Sequence, residues 1–568
     1  MDGGARQDEM AERFKLEVKE NAHRRRGERA VHDPGAPPTV VQAGTSEVPP
    51  QSVPMDLVTA TSNRLNAAPD IQDDTMELEP SSEESAIRLQ RGADCTLART
   101  EGRQSVAFGR SETILFMFYL ETLLPFLFPF YRPPLLQGGR AWVLEMMISS
   151  PVVRHATLCQ SSYFFALTRG TAPQSVVEQT ILMQTKDAFK VLRESLQIID
   201  GSSVTEHLYG AVRIMASILQ VQRFEITVLS FKNCQVHLNA ALALFKQLFE
   251  NSPGNEATET TGEQQSLSFN AVVDRLGPPT RIVPTRCCAV PSAEQAAFRF
   301  SSALLILDDI VASTVLQEQP RLYEYHRCLL LNEEVDGTMG SPPINLETVI
   351  GCQNWALLHI GEIAALDAWK QQCKRTGSLN VIELVHRATA IKEPLEAHLK
   401  LLENETGTTG TREGDDRSNV LMNTLAADYF GQQSNAYTSQ SSLVTRVWAH
   451  AALVYLLVVV SGWQPVCFDV RYHVSQIIEL LTHRISSPAL LRTMVWPFCV
   501  AGCLAEPAEE AVFRGMVDAL QPPIVFGTVR KALEIMEGVW RNREAGGDAE
   551  SRDLATCFRS QGEFVLLV

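Results

Sequence analysis

The chain has 568 residues, of which 45% are hydrophobic and 20% are charged, the proportions of an ordinary globular protein with ample material for a core. Its formal net charge of −16 excludes a folded surface that binds nucleic acid in general, because such surfaces need clustered lysines and arginines. Twelve cysteines in a chain of this length exclude the disulfide framework that is typical of short secreted domains.

Residues 1–30 are charge-dense and predict a helix that ends in a basic cluster containing Arg24, Arg25, Arg26 and Arg29. Two interpretations of this cluster stay open. It is either a nuclear localisation signal or phosphate-contacting patch, or the solvated end of a charged helix. No apolar stretch opens the chain, so no signal peptide is predicted.

Residues 31–110 are predicted to form a disordered linker that becomes acidic near 70–84. A stretch so rich in proline, serine, threonine and acid cannot bury enough apolar surface to offset the entropy of ordering it. The acidic part mixes carboxylates with Ile71, Met76 and Leu78, a mixture typical of activation segments. A solvated linker is the simpler alternative.

Residues 111–545 are predicted to form one large helical domain. The first helices are expected at 175–201, where Ser175 and Glu178 make a capping box, at 203–222 and at 227–249. Residues 251–292 are rich in glycine, threonine, glutamate and proline and predict an exposed insertion. Short turns between helices predict antiparallel neighbours, and no alternating strand pattern is found. The predicted fold class is all-α.

The second half of this domain continues the helical pattern. The segment 355–369 is apolar almost all round, which predicts a helix in the middle of the core. Residues 404–418 form a second polar insertion. A last helix carries Phe526, Val529, Leu533, Met536 and Trp540 on one face and is expected to close the fold near Trp540, which leaves 546–568 as a C-terminal tail.

Two apolar runs invite comparison with membrane spans. The run at 449–460 is shorter than the roughly 20 residues that a span needs. The run at 114–136 contains Glu121, Arg132 and four prolines, which predicts a buried, irregular segment. No membrane partner is therefore expected.

Several pairs of side chains have the spacing of metal ligands, but none makes a complete site. His155 with Cys159 and Cys499 with Cys503 stand one helical turn apart, and Cys234 with His237 is half of a zinc finger. A structural zinc site needs four ligands, so core packing is the favoured interpretation and no metal site is predicted. Cys287 and Cys288 lie in a predicted loop and suggest only a spot sensitive to oxidation.

No catalytic constellation is predicted. Glu362 and Asp367 stand five residues apart on one helix and point to different faces, so they do not converge on a reacting group. A helical enzyme of the terpene-cyclase kind needs clustered aspartates, and Asp308 with Asp309 lacks the third acid. We therefore expect a protein that is not an enzyme and uses no cofactor, with an all-helical enzyme as a remote alternative.

Short apolar segments of the helical region, taken in order, resemble the fungal-specific transcription factor domain, the regulatory region of fungal zinc binuclear cluster transcription factors. Together they span about 112–545. The segments that carry the resemblance are FPFY at 128–131, GRAWVL at 139–144, SP at 150–151, FE at 224–225, HLNAA at 237–241, GCQNW at 351–355, AWK at 368–370, YL at 455–456, VSGW at 460–463, WPFCVAGCLA at 496–505, GT at 527–528, KALEIM at 531–536 and VW at 539–540.

The resemblance implies an all-helical regulatory domain, a nuclear location and control of transcription by RNA polymerase II. It implies as partners the transcription machinery or co-regulators, a small-molecule effector and a second copy in a homodimer. The same segments also have a simpler interpretation, since Trp355, Trp369, Trp463 and Trp496 are large apolar residues that fill a core.

The chain departs from the family at the zinc cluster, which needs six cysteines and places a helix in the major groove. Cys95 is the only cysteine before Cys159. Zinc is expected only if a cluster precedes this sequence, and DNA contact only through that missing N-terminal cluster. The alternative is a nuclear co-regulator or interaction scaffold that does not contact DNA.

Overall fold

The computed structural model describes residues 108–134, 138–169, 208–229, 231–250, 264–281, 289–331, 334–335, 338–339, 342–405, 431–544, 552–559 and 564–568. Several predicted segments lie outside these residues: the charged helix at 1–30, most of the linker at 31–110, the helix at 175–201 and the insertion at 404–418 except for its first two residues, which are helical. So do Cys95, Cys287 and Cys288. The structure therefore bears on the helical region.

Helices dominate the described part of the chain, which confirms the all-α class. In the first half they are α1 (Arg110–Phe118), α2 (Leu124–Leu127), α3 (Ala141–Ser149), α4 (Pro151–Arg169), α5 (Leu208–Thr227), α6 (Cys234–Glu250), α7 (Gln264–Arg275), α8 (Ala293–Leu316) and α9 (Tyr323–Leu330). A π-helical turn, Tyr119–Leu123, joins α1 to α2, and a 3₁₀ turn, Phe231–Asn233, precedes α6.

The second half continues in the same way. Its helices are α10 (Glu347–Ile350), α11 (Asn354–Thr376), α12 (Val381–Glu405), α13 (Gly431–Ser461), α14 (Phe468–Glu479), α15 (Val495–Cys503), α16 (Pro507–Asp518), α17 (Gly527–Glu544) and α18 (Leu554–Phe558). A π-helical turn, Leu480–Arg484, and two 3₁₀ turns, Pro488–Thr493 and Pro523–Phe526, connect them. Two antiparallel pairs of two-residue strands are β1 (Thr280–Arg281) with β2 (Ala289–Val290), and β3 (Glu334–Val335) with β4 (Thr338–Met339).

Helix α8 lies at the centre of the first half and contacts α3, α5, α6 and α11. Its start is fixed by a capping box, in which the Gln295 N–H donates to Ser292 Oγ at 3.1 Å and the Ser292 N–H donates to Gln295 Oε1 at 3.0 Å. Its residues are buried on nearly every face, the polar Asp308 and Asp309 included. A helix buried all round must find partners inside the protein for those carboxylates.

Helix α13 is the central helix of the second half and contacts α11, α12, α14 and α15. Its part from Gln440 to Ser461 is long and apolar enough to cross a membrane by length and composition, but 83% of that window is buried inside the fold. The apolar run at 449–460 is therefore core material. The helix predicted at 355–369 is confirmed as the N-terminal part of α11, where most side chains are buried.

The tryptophans named above do not all fill the core. Trp496 is fully buried, whereas Trp355, Trp369 and Trp463 are half-buried at its edge. There the Arg387 guanidinium lies 4.4 Å from the Trp369 ring centroid. Trp496 is a core residue as predicted, and the other three pack against the core from its edge.

Three sequence predictions need correction. Residues 251–292 are not an exposed insertion throughout, because α7 and the residue after it bury Phe269, Val272 and Leu276 completely. The helix expected from residue 227 begins at Cys234, after α5 has ended at Thr227. The fold does not close near Trp540, since Phe558 and residues 565–567 are at most 1% exposed. Their apolar side chains add to the core that the helices form, so at least these parts of 546–568 are not a tail.

Gly351 is a position where a side chain should disrupt this packing. It adopts a φ of +81° at the end of α10, and an added Cβ would lie 2.3 Å from the Phe130 ring. We expect Gly351→Ala to lower the free energy of unfolding by about 2–4 kcal/mol, from left-handed backbone strain and overpacking together. Urea denaturation measures this loss.

Gly377 provides the matched control, because it has a φ of +67° and an added Cβ there would meet nothing within 4 Å. Gly377→Ala should therefore show the backbone strain alone, about 1–2 kcal/mol. Equal losses in the two variants would contradict the clash with Phe130.

Candidate ligand cavity

A cavity of about 110 Å³ lies where the two halves of the helical domain meet. Its wall includes residues from α2, α4, α5, α8, α10, α13, α15 and α17, together with Leu567 and Val568. Most of the wall is apolar, contributed for example by Phe164, Leu304 and Ile350. Segments more than 400 residues apart in sequence thus converge on one space.

A buried ion pair stands at this cavity. The Arg223 Nη2 of α5 lies 2.5 Å from the Asp308 Oδ1 of α8, and the Asp308 side chain is completely buried. Burial raises the pKa of Asp308 to about 6, although the charge and hydrogen bond of Arg223 act in the opposite direction. The second oxygen, Asp308 Oδ2, has no hydrogen-bond partner.

The wall also holds N–H groups that have no acceptor. They are Nε2 of Gln160, Nε of Arg223 and Nε1 of Trp448, and all three atoms are buried. Other buried indoles are satisfied: Trp496 Nε1 donates to Thr314 Oγ1 at 2.9 Å, and Trp540 Nε1 donates to the Gly502 carbonyl at 2.8 Å. A buried donor without an acceptor is costly, so Trp448 differs from these two indoles. Its Nε1 atom is closed off from the cavity as well as from bulk water.

Arg492 brings a positive charge to the same wall. Its guanidinium donates to the Phe126 carbonyl and lies 3.9 Å from the centroid of the Phe126 ring. Burial lowers the pKa of Arg492 to about 9. Within the described residues no carboxylate forms an ion pair with it, unlike Arg223.

The neighbouring Asp309 has a structural role. Its carboxylate accepts hydrogen bonds from the backbone N–H groups of Arg321 at 3.0 Å and Leu322 at 2.8 Å, just before α9. Burial raises its pKa to about 6. Asp308 and Asp309 therefore serve different partners and do not form a joint acidic site.

The pairs with metal-ligand spacing lie apart from this cavity. Cys159, Cys234, Cys499 and Cys503 are buried, as their apolar sequence context predicts, while His155 is exposed. A search of the described residues finds no group of three or more histidines, cysteines or acids able to hold a metal ion.

The partners of these side chains are protein groups. His237 Nδ1 lies 2.8 Å from Glu225 Oε2, and Cys503 is joined by thiol hydrogen bonds to Cys499 and Cys557. The bond to Cys499, together with burial, holds the pKa of Cys503 well above its usual range.

Glu362 and Asp367 do not converge, as predicted. Glu362 contacts Arg327 Nη2 at 2.6 Å and His359 Nδ1 at 2.8 Å. Asp367 accepts from Gln371 at 3.2 Å and from the Tyr455 hydroxyl at 3.4 Å. Both carboxylates connect helices. Arg24, Arg25, Arg26 and Arg29 lie outside the described residues, so the localisation signal stays a prediction.

The sequence analysis named none of the four donors on the cavity wall. Gln160, Arg223 and Trp448 lie within apolar helices, where a polar residue carries no sign of which neighbour it meets. The sequence offered one weak indication of this site: Arg223 is a charged residue in α5, a helix in which most residues are buried. Arg492 lies in a 3₁₀ turn with no periodicity to interpret.

The described residues thus form a predominantly helical domain with a mostly apolar cavity and no cluster of metal ligands. A family model for the fungal specific transcription factor domain matches residues 114–567. The chain belongs to this family of fungal transcription regulators.

Individual relatives agree with this assignment. The transcription factor dibT of Pestalotiopsis microspora is 34% identical over 463 residues, which cover 80% of this chain and 70% of that protein. The pestheic acid cluster transcriptional regulator 3 of Pestalotiopsis fici is 25% identical over 457 residues, 78% of this chain and 73% of that protein. A trichothecene biosynthesis transcription regulator of Fusarium sporotrichioides is 26% identical over 456 residues, 78% of this chain and 94% of that protein. No solved structure gives a significant match.

Proposed function

We propose that this chain is the regulatory region of a nuclear transcription regulator that controls the genes of one biosynthetic cluster. The observation that carries the proposal is its similarity, along most of its length, to regulators whose names refer to such clusters or pathways. Its partners are the transcription machinery or co-regulators. We assign any DNA contact to a zinc cluster of the kind that the family carries near its N-terminus, because a net charge of −16 disfavours a folded surface that binds phosphates in general.

In this proposal, the conformation of the helical domain determines whether the regulator is active or inactive. A cavity lined by side chains from eight helices lies where a bound molecule contacts both central helices, α8 and α13, at once. Binding there stabilises the arrangement of helices that encloses the ligand. The buried carboxylates of Asp308, Asp309 and Glu362 are engaged in ion pairs and backbone contacts. The family and the relatives, which are regulators of transcription, favour regulation over catalysis.

Deletion of the gene in the fungus that carries it tests this proposal. Transcript sequencing should show a coordinated fall in one contiguous set of biosynthetic genes, and reintroduction of the intact gene should restore them. A fluorescent fusion of the full chain should concentrate in the nucleus. Unchanged transcripts of all such clusters under producing conditions would sink the proposal.

A further inference from the structure

A groove of about 350 Å³ lies between helices α12, α13 and α14. It shares no lining residue with the cavity beside Arg223 and Asp308. Helix α13 packs against both other helices and forms the floor, to which it contributes Leu453, Leu456 and Val460. Their three- and four-residue spacing places them on one face of α13, so the floor is a continuous apolar stripe.

The two walls of this groove continue into apolar side chains that are exposed to solvent. On α12, Val381 and Ile382 lie one turn before the lining residue Val385, and Ile382 is 81% exposed. On α14, Phe468 lies one turn before the lining residue Tyr472 and is 82% exposed, the highest value for a large apolar side chain among the described residues. Residues three or four apart share a helix face, so these side chains extend the groove. An apolar surface that spans two helices is typical of an interaction site.

The length of the groove fits a helix. The wall on α12 covers residues 381–396, which span about 24 Å at a rise of 1.5 Å per residue. A partner helix of about four turns has this length and presents its apolar side chains along one stripe. A small molecule in the groove would leave Ile382 and Phe468 in water, whereas a helix that lies along the groove covers both.

The charged groups of the groove favour a basic partner. Lys392 lies 3.5 Å from Glu396 on the same helix and is compensated by it. Asp469 is exposed, lines the groove and forms no ion pair within the described part of the chain. His473 adds no charge at pH 7, because burial lowers its pKa to about 4. The groove therefore has a net negative charge, and so does the whole chain, at −16. A second copy would meet like charge there, whereas a basic helix meets opposite charge.

We propose that the groove between α12, α13 and α14 binds an amphipathic helix of a partner protein, with the apolar stripe of that helix against α13 and a lysine or arginine beside Asp469. This inference rests on the proposed function, in which co-regulators are partners of the domain, and it gives one such partner a chemical class. Ile382 and Phe468 are the main apolar contacts, since they lose the most contact with water when the helix binds.

Fluorescence anisotropy with the full chain tests the proposal. The probe is a labelled peptide of about 16 residues, in which leucines recur at three- and four-residue spacing and lysines occupy the other face. We expect saturable binding at one site per chain. The matched control peptide, with each lysine replaced by glutamate, keeps the apolar stripe and should bind about tenfold more weakly or worse. Equal affinity of the two peptides, or no binding of the basic one, overturns the proposal.

Substitutions at exposed positions separate binding from folding. Phe468→Ser should raise the Kd of the basic peptide about tenfold or more and leave the free energy of unfolding unchanged, because this side chain already contacts water. Asp469→Lys should weaken binding of the lysine peptide and strengthen binding of the glutamate peptide. Val236→Ser is the matched control, since this valine of α6 is 64% exposed and lies outside the groove, so its variant should bind like the parent chain. Unchanged affinity in Phe468→Ser overturns the placement of the partner helix.

Two other occupants of the groove would give different results. Sedimentation velocity of the parent chain and of Phe468→Ser tests for a second copy. A dimer that this substitution dissociates assigns the groove to self-association and overturns the proposal of a partner protein. A loss of stability in Phe468→Ser shows that the chain covers its own groove, and this result overturns the proposal as well.

Failure of this inference and failure of the proposed function are distinguishable in the fungus. Phe468→Ser, present in the nucleus at the level of the parent protein, should reduce the transcripts that gene deletion reduces. If deletion silences a cluster and Phe468→Ser leaves its transcripts unchanged, the regulator stands and the groove is not its co-regulator site. If the basic peptide binds, Phe468→Ser abolishes binding and deletion changes no cluster, the groove stands as a helix-binding site and the proposed function falls.

Discussion

Replacing Asp308 by asparagine should lower the free energy of unfolding by about 3–5 kcal/mol, one of the largest effects of a single substitution in this chain. The change keeps the shape of the side chain and removes only its charge. Arg223, with its side chain 14% exposed, then remains charged in the interior with its nearest counter-ion gone. A guanidinium cannot neutralise itself by losing a proton, so the full penalty of an unpaired charge remains.

The reverse substitution provides an internal comparison. Arg223→Met leaves Asp308 without its partner, but this carboxyl already has a pKa of about 6 and can take up a proton near neutral pH. We therefore expect Arg223→Met to cost less than Asp308→Asn, by at least about 1 kcal/mol. The double variant Arg223→Met with Asp308→Leu should recover most of the loss, since no charge remains to be buried.

Urea denaturation at pH 7, monitored by circular dichroism, measures the three variants against the parent chain. The order of the variants by free energy of unfolding tests both the ion pair and the protonation of Asp308. An Asp308→Asn variant as stable as the parent would show that the ion pair contributes nothing, and an Arg223→Met variant less stable than Asp308→Asn would contradict the role of carboxyl protonation.

Acidification below pH 6.5 should destabilise the protein through three buried histidines. Burial lowers the pKa of His326 to about 4, of His450 to about 3 and of His473 to about 4, from an ordinary value of 6.5. His450 and His473 face each other, with their Nδ1 atoms 3.0 Å apart, so they cannot both be charged without strong repulsion. His326 has no hydrogen-bond partner at either ring nitrogen.

The direction of this stability change follows from the number of protons that the folded and the unfolded states bind. A histidine whose pKa is lower in the folded state binds fewer protons there than in the unfolded chain, so its contribution is complete above pH 6.5 and lost as pH falls. At pH 5 each of the three should cost about 2 kcal/mol relative to pH 7. Asp308 and Asp309 act in the opposite direction, because their raised pKa values of about 6 favour the folded state as they take up protons. Their protonation stabilises the folded state by about 1 kcal/mol each, which leaves a net loss of about 3–4 kcal/mol.

His326→Leu isolates one histidine. The side chain lies 4.0 Å from Asp309 Oδ2 and fits against Gly361, so a leucine of similar volume is accommodated. The variant should be at least as stable as the parent at pH 7 and should lose about 2 kcal/mol less between pH 7 and pH 5. Urea titrations at pH 7, 6 and 5 measure this difference. A parent chain that is equally stable at all three values would overturn the histidine account.

The amino-acid sequence by itself determined the helical class and much of the element order. Apolar periodicity is a local property, and a helix such as α11, apolar almost all round, has only one environment that suits it. The order of short apolar segments likewise indicated the family. The prediction failed where overall composition hid a local pattern. Helix α7 lies in a stretch rich in glycine, threonine and proline, so the short apolar pattern that buries Phe269 and Val272 was not recognised as a helix.

The cavity and its charges were decided by tertiary structure alone. Arg223 and Asp308 are 85 positions apart, and Trp448 and Arg492 come from segments of different type, so no spacing rule relates them. Whether a buried donor meets an acceptor depends on which helix faces it, and that is fixed by the packing of the whole core. Sequence pattern indicates which side chains leave water. Only the assembled fold determines which of them meet and which remain without a partner.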